Sequence, residues 1–229
     1  MKRRPNRAYG RRVTEKRKAV HRLRQLLLPP AAGLLAEYFD KDGPFAGETF
    51  DVLGCNTPDR VGPDDLFAVS MLAVAIRPHA ARQLLGGRAD EVSKALAPLP
   101  TDLDLWEAST SALDGIDEAE NLLQDFAGFG PVISSKLLSR KRPRLVPIFD
   151  QVVLNQLGQP NKSAFQESRR AVAAWLCDAE VQHRLMELRE PLSGGVSPLR
   201  VLDVVCWMRG SDSRNAKLAR SRHGLSAAT

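Results

Sequence analysis

Leu122-Leu123-Gln124-Asp125-Phe126-Ala127-Gly128-Phe129-Gly130-Pro131-Val132-Ile133-Ser134-Ser135-Lys136-Leu137-Leu138 is the stretch on which the fold turns, and Arg142-Pro143-Arg144-Leu145-Val146-Pro147-Ile148-Phe149-Asp150 follows it closely. It reads as a helix ended by glycine, an apolar residue held between two glycines, and a second helix opened by proline. Gly128 and Gly130 permit the positive φ and close backbone approach of a tight hairpin, and Phe129 turns inward to fasten that hairpin to a core. Pro131 falls at a first helical position, where a missing N–H costs nothing. The N–H groups at this helix start point outward beside the positive end of a dipole, an arrangement suited to a phosphate.

Outward from the hairpin, the spacing of apolar residues predicts helices at about 14–28, 31–40, 63–77, 79–85, 89–96, 103–110, 114–126, 132–139, 150–158, 162–177, 179–190 and 197–209. In the 63–77 helix, apolar residues from Leu66 to Ile76 cover nearly the whole circumference, which places it in the core. Residues 41–62 read as loop, with at most a short strand at Thr49–Leu53. Helices joined by short turns indicate an all-α multi-helix bundle. Three parts follow: residues 1–28 as a basic arm and helix, with 1–12 disordered; 29–210 as a single all-α domain with the helix-hairpin-helix at about 115–139; and 211–229 as a basic, disordered tail.

The net charge of +6 is segregated: residues 1–24 carry +10, 136–144 carry +5 and 209–229 carry +4, so the remainder carries −13. Positive charge gathered on a few segments of an acidic body is expected of a partner rich in phosphate. That term carries no sequence information, so DNA, RNA and acidic surfaces all satisfy it. Cys55, Cys177 and Cys206 are far apart and give neither a disulfide framework nor a zinc or iron–sulfur spacing, which points to a reducing, cytoplasmic compartment. The arginine-rich start before Leu26-Leu27-Leu28 imitates a secretory leader, but Pro29-Pro30 cuts the apolar run short and no cleavage site follows. No run approaches the ~18 apolar residues of a membrane span, so no membrane partner is expected. His21, His79, His183 and His223 are scattered without metal spacing, and no metal site is expected.

The hairpin stretch resembles that of the helix-hairpin-helix DNA glycosylase superfamily. In that superfamily a Gly-apolar-Gly hairpin leads, through a helix and an apolar-Pro-apolar connector, to an aspartate at the start of the next helix. Gly128-Phe129-Gly130, Val146-Pro147-Ile148 and Asp150 fall in that order, and the resemblance covers roughly residues 63–155. The chain also resembles members of a bacterial family of unknown function that shares the hairpin. The resemblance implies a DNA-binding protein, and a monofunctional glycosylase in which the Asp150 carboxylate stabilises an oxocarbenium-like sugar or activates water. Val132 stands where bifunctional members carry a Schiff-base lysine, so lyase chemistry by that route is not implied. No cofactor is implied beyond a monovalent cation at the hairpin carbonyls.

The nucleic-acid contacts expected from this reading are Gly128, Phe129, Gly130 and Val132 at the hairpin, with Lys136, Arg140, Lys141, Arg142 and Arg144 holding phosphates; Lys136 and Arg140 share one helix face. Asp150 also precedes Gln151-Val152-Val153-Leu154 as a helix N-cap, a structural role that coexists with a catalytic one. Asp203 lies inside the apolar stripe Leu199–Trp207, where Arg200 at i−3 is its nearest partner and the two read as a structural pair. Trp106, Trp175 and Trp207 read as core. Two other functions fit the same residues: a non-catalytic DNA- or RNA-binding module in which Asp150 only caps, and a helical protein-interaction domain whose basic termini bind an acidic partner. The pattern favours DNA over RNA and specifies no oligomeric state.

Overall fold

The computed structural model describes residues 7–159, 165–192 and 194–225, with side chains from residue 13 onward. Among these residues there are twelve α-helices and no strand, and the all-α class holds. They are α1 (Arg7–Leu26), α2 (Pro30–Tyr38), α3 (Pro63–Ser70), α4 (Pro78–Arg82), α5 (Ala89–Leu96), α6 (Thr110–Gln124), α7 (Pro131–Lys141), α8 (Gln151–Leu157), α9 (Phe165–Leu176), α10 (Ala179–Arg189), α11 (Pro198–Gly210) and α12 (Arg214–Arg222). No helix among them is long and apolar enough to cross a membrane.

The arrangement follows from α11. Leu199, Val201, Leu202, Val204, Val205, Cys206 and Met208 are all buried, so this helix lacks a solvent face and is enclosed by α2, α8, α10 and α12. The N-terminal helices α1 and α2 therefore pack with the C-terminal third of the chain. The intervening helices pack among themselves, α3 on α7, α6 on α7 and α5 on α6. A single hydrophobic core runs through both sets.

Several elements depart from the sequence-based expectations. The strand at Thr49–Leu53 is replaced by a 3-10 helix over Ala46–Asp51. The helix expected over 63–77 stops at Ser70, and Phe67 is 58% exposed, so its circumference is not buried throughout. Two causes act there: Lys136 takes the Leu72 carbonyl at 2.8 Å, and Pro78 forces Arg77 into an extended conformation with ψ of 139°. The expected helix at 103–110 is reduced to a 3-10 turn at Leu105–Glu107, where the Leu105 N–H donates to the Arg144 carbonyl at 3.0 Å.

The termini are more ordered than their charge suggests. Residues 7–12, expected to be disordered, are helical; residues 1–6 lie outside the described residues. The 211–229 segment is not a disordered tail over 214–222, where α12 is capped by the Ser213 hydroxyl accepting from the Ala216 N–H at 3.2 Å. Arg220 of α12 is buried and donates to the carbonyls of Met208 at 2.6 Å and Ser211 at 2.8 Å, which docks the helix on the end of α11. Residues 162–164 and 226–229 also lie outside the described residues.

Candidate functional site

Residues 125–130 join α6 to α7. Gly128 has φ of 90°, whereas Gly130 has φ of −101° as the residue before α7, so only Gly128 needs glycine's conformational freedom. Pro131 opens α7, Phe129 is buried with its ring 6.1 Å from that of Phe126, and Val132 is half-buried. The aliphatic stem of Arg77 covers Gly128, where a Cβ would come within 2.6 Å of Arg77 Cδ; at Gly130 a Cβ would meet nothing within 4 Å.

The basic run after the hairpin is not a phosphate-binding surface. Lys136, Arg140, Lys141 and Arg142 are between 0 and 5% exposed, which removes them from contact with a duplex backbone. Their partners are internal. Arg140 donates to the Phe50 carbonyl at 2.5 Å, to the Leu53 carbonyl and to Asp65. Lys141 donates to Asp65, to Asn56 Oδ1 at 3.0 Å and to the Thr57 carbonyl at 3.1 Å. Arg142 donates to the carbonyls of Leu99, Pro58 and Leu96 at 2.6–2.8 Å and to Asp59. This run clamps the loop-rich 50–59 segment onto α7 and α5, because buried cations persist only where carboxylates and carbonyls satisfy them. Arg144 is bidentate to Asp104 and keeps 43% of its side chain exposed. Exposed cations lie instead at Lys16, Arg17, Lys18 and Arg22 on α1, at Arg77 beside the hairpin and at Arg214 on α12.

Asp150 ends the connector that follows α7. The Ser135 hydroxyl holds that connector to α7, lying 3.3 Å from the Phe149 carbonyl and accepting from the Phe149 N–H at 3.4 Å. Asp150 caps α8, its carboxylate accepting the Val153 N–H at 2.9 Å. It also lines a cavity of about 240 Å³ between the two sets of helices, together with Lys136, Arg200 and Asp203. Tyr38, Phe45 and Trp207 form an aromatic wall, Tyr38 stacking on Phe45 at 5.3 Å and meeting Trp207 edge-on at 6.1 Å. Leu72 and Ala73 line it from the segment after α3; Ala73 has φ of 57°, the only positive φ at a non-glycine among the described residues. Ser213 and Asn215 contribute from the start of α12.

Arg200 organises the floor. Its guanidinium donates to Asp51 at 3.0 Å, to Tyr38 Oη at 3.0 Å, to the Gly47 carbonyl at 2.8 Å and to Asp203. Burial lifts the Asp203 carboxyl to about 6, with Arg200 pulling it down and Asp150 pushing it further up. Burial also lowers the Lys136 ammonium from its ordinary value, against the opposing pull of Asp150 and Asp203.

Residues 31–210 match DUF6308, a family of unknown function. The chain belongs to DUF6308. Neither the curated proteins nor the solved structures contain a match to it.

The DUF6308 span takes in the hairpin, the buried basic clamp and all of the cavity except the α12 contribution, and it leaves α1 outside. Of the residues singled out in the sequence, Asp150 and Lys136 meet in the cavity, Gly128, Phe129 and Gly130 form the hairpin, and Arg140, Lys141 and Arg142 lie in the clamp. Sequence reasoning missed the aromatic wall: Tyr38 and Phe45 fall in a segment without a motif, and Trp207 sits in a stripe that reads as core. It placed Asp203 in its pair with Arg200, which the structure bears out, but not in the cavity.

Proposed function

We propose that this DUF6308 protein binds DNA through the α6–α7 hairpin and takes an extruded base into the cavity lined by Asp150, as a monofunctional glycosylase-like enzyme. One observation carries the reading: the aspartate expected from the hairpin motif lines a cavity that also has an aromatic wall and a buried lysine. At about 240 Å³ the cavity falls below the ~300–1,000 Å³ of sites for drug-sized ligands, a size that suits one flat ring system. A base must leave the stack to reach such a site, and aromatic faces receive it. Breaking its glycosidic bond builds positive charge on the sugar, which the Asp150 carboxylate stabilises.

The Asp150–Val153 cap supports a second reading, a non-catalytic nucleic-acid-binding module in which Asp150 is structural. Asp150→Asn separates the two, because asparagine caps as well as aspartate but carries no charge. The test is binding to a duplex holding a cationic abasic analogue, compared with the intact duplex. A glycosylase prefers the mimic of its transition state by at least about 100-fold and loses that preference in the variant. Equal binding of both duplexes by both proteins leaves the module and removes the enzyme.

A further inference from the structure

The cavity holds a second carboxylate to which the glycosylase reading gives no task. Asp203, on α11, lines the same cavity as Asp150 but is 6% exposed, whereas Asp150 is half-buried. The charged and titratable groups around it come from four directions: Arg200 and Cys206 on its own helix, Lys136 from α7, Asp150 from the cap of α8, and Tyr38 and Asp51 on the far side of the Arg200 guanidinium. Arg200 is a shared partner, bonded to Asp51, Tyr38 and the Gly47 carbonyl as well as to Asp203. Its positive charge is therefore divided between two carboxylates.

Two carboxyl groups in one cavity, one buried and the other half-exposed at a helix cap, form the arrangement that divides acid from charge-stabilising work in glycoside cleavage. We propose that Asp203 is the general acid of this cavity, giving its carboxyl proton to the departing base while Asp150 faces the sugar. This rests on the glycosylase reading. The C1′–N bond breaks with its electron pair leaving on the base, and the Asp203 proton neutralises that charge at a ring nitrogen or exocyclic oxygen. Water adds its oxygen to C1′, and the proton it releases restores Asp203. The raised value of the Asp203 carboxyl, about 6, keeps a usable fraction protonated near neutrality. A substrate class follows: uncharged bases, which leave as anions unless protonated, gain from this acid. N-alkylated bases that are already cationic leave without it.

The experiment measures bases released by the full chain from two DNA preparations, one treated with nitrous acid to give uncharged deaminated bases and one with dimethyl sulfate to give cationic methylated purines. Wild type, Asp203→Asn and Asp150→Asn are compared between pH 5 and 8. Release of uncharged bases by the wild type falls as pH rises past about 6, and release of cationic bases lacks that limb. This comparison needs no variant and stands even if Asp203→Asn fails to fold. In a folded Asp203→Asn, the ratio of uncharged to cationic release falls by at least about 100-fold. An unchanged ratio, or release of cationic bases alone by the wild type, overturns the acid role; Asp150→Asn inactivity then leaves the glycosylase reading standing. No release from either preparation, with no preference for the cationic abasic duplex, removes the glycosylase reading and the acid role with it.

Discussion

The Lys136 ammonium donates to the Leu72 carbonyl at 2.8 Å, tying the middle of α7 to the turn in which Ala73 adopts φ of 57°. Lys136→Met keeps the apolar stem and deletes this bond. It leaves a half-buried carbonyl unpaired, so unfolding free energy in urea falls by about 1–3 kcal/mol. The variant also loses a pH dependence. Because burial lowers the Lys136 ammonium, the unfolded chain binds more protons between its folded value and the ordinary ~10.4, and wild-type stability rises with pH over that window. Equal slopes in the two proteins would deny Lys136 this role.

Asp65 is 1% exposed and accepts from Arg140, from Lys141 and from the Gly62 N–H at 2.8 Å. Asp65→Asn leaves two buried cations without their carboxylate, and removal of one partner from a buried ion network costs about 3–5 kcal/mol. Thermal unfolding detects a change of that size, and a shift no larger than that of an exposed control such as Asp42→Asn would show that the clamp contributes little.

What the sequence reveals and what it hides divides along physical lines. The helices with clear caps, α8 behind Asp150, α10 behind Asp178 and α11 behind Ser197, were legible to within a residue or two. So were the inward turn of Phe129 and the Arg200–Asp203 pair. The end of α3 was not, because a long-range bond from Lys136 claims the Leu72 carbonyl that continued helix would use. The basic run misled for a related reason. Charge is visible in a sequence and burial is not, and Asp65, which neutralises Arg140 and Lys141, lies more than seventy residues away from them.

Gly128 and Gly130 are equivalent in the sequence but not in the structure. Gly128→Ala forces a Cβ at φ of 90° and against the Arg77 stem, which costs about 1–2 kcal/mol in guanidinium unfolding. At Gly130 an added Cβ meets nothing within 4 Å, and Gly130→Leu leaves stability within about 1 kcal/mol. If the hairpin lies on a phosphate backbone, that leucine weakens duplex binding by at least about tenfold in a folded protein. Unchanged binding would move the nucleic-acid surface elsewhere.

If the chain binds a duplex, the burial of the α7 cations moves the salt dependence onto α1, where Lys16, Arg17 and Lys18 are exposed. Replacing all three with glutamine lowers the slope of log K against log salt by about 2 to 3, at about 0.9 for each duplex phosphate that is no longer neutralised. Fluorescence anisotropy between 50 and 200 mM salt reads it. An unchanged slope would place the duplex away from α1.

Burial raises the Asp203 carboxyl, which makes its contribution to stability depend on pH. A group whose folded value lies near 6 and whose unfolded value is the ordinary 3.8 binds more protons in the folded state between those limits. Its contribution is fully present below pH 3.8 and is lost as pH rises through 6, the opposite sign to a carboxylate stabilised by its partner. At about 1.4 kcal/mol per pH unit, the separation amounts to about 3 kcal/mol at most. Asp203→Asn cannot titrate, so the stability advantage of wild type over this variant shrinks by about 1–3 kcal/mol between pH 4 and pH 7. Urea unfolding of both proteins across that range measures it. A constant difference would mean that Arg200 holds Asp203 ionised throughout, and would deprive the cavity of a proton donor at that position.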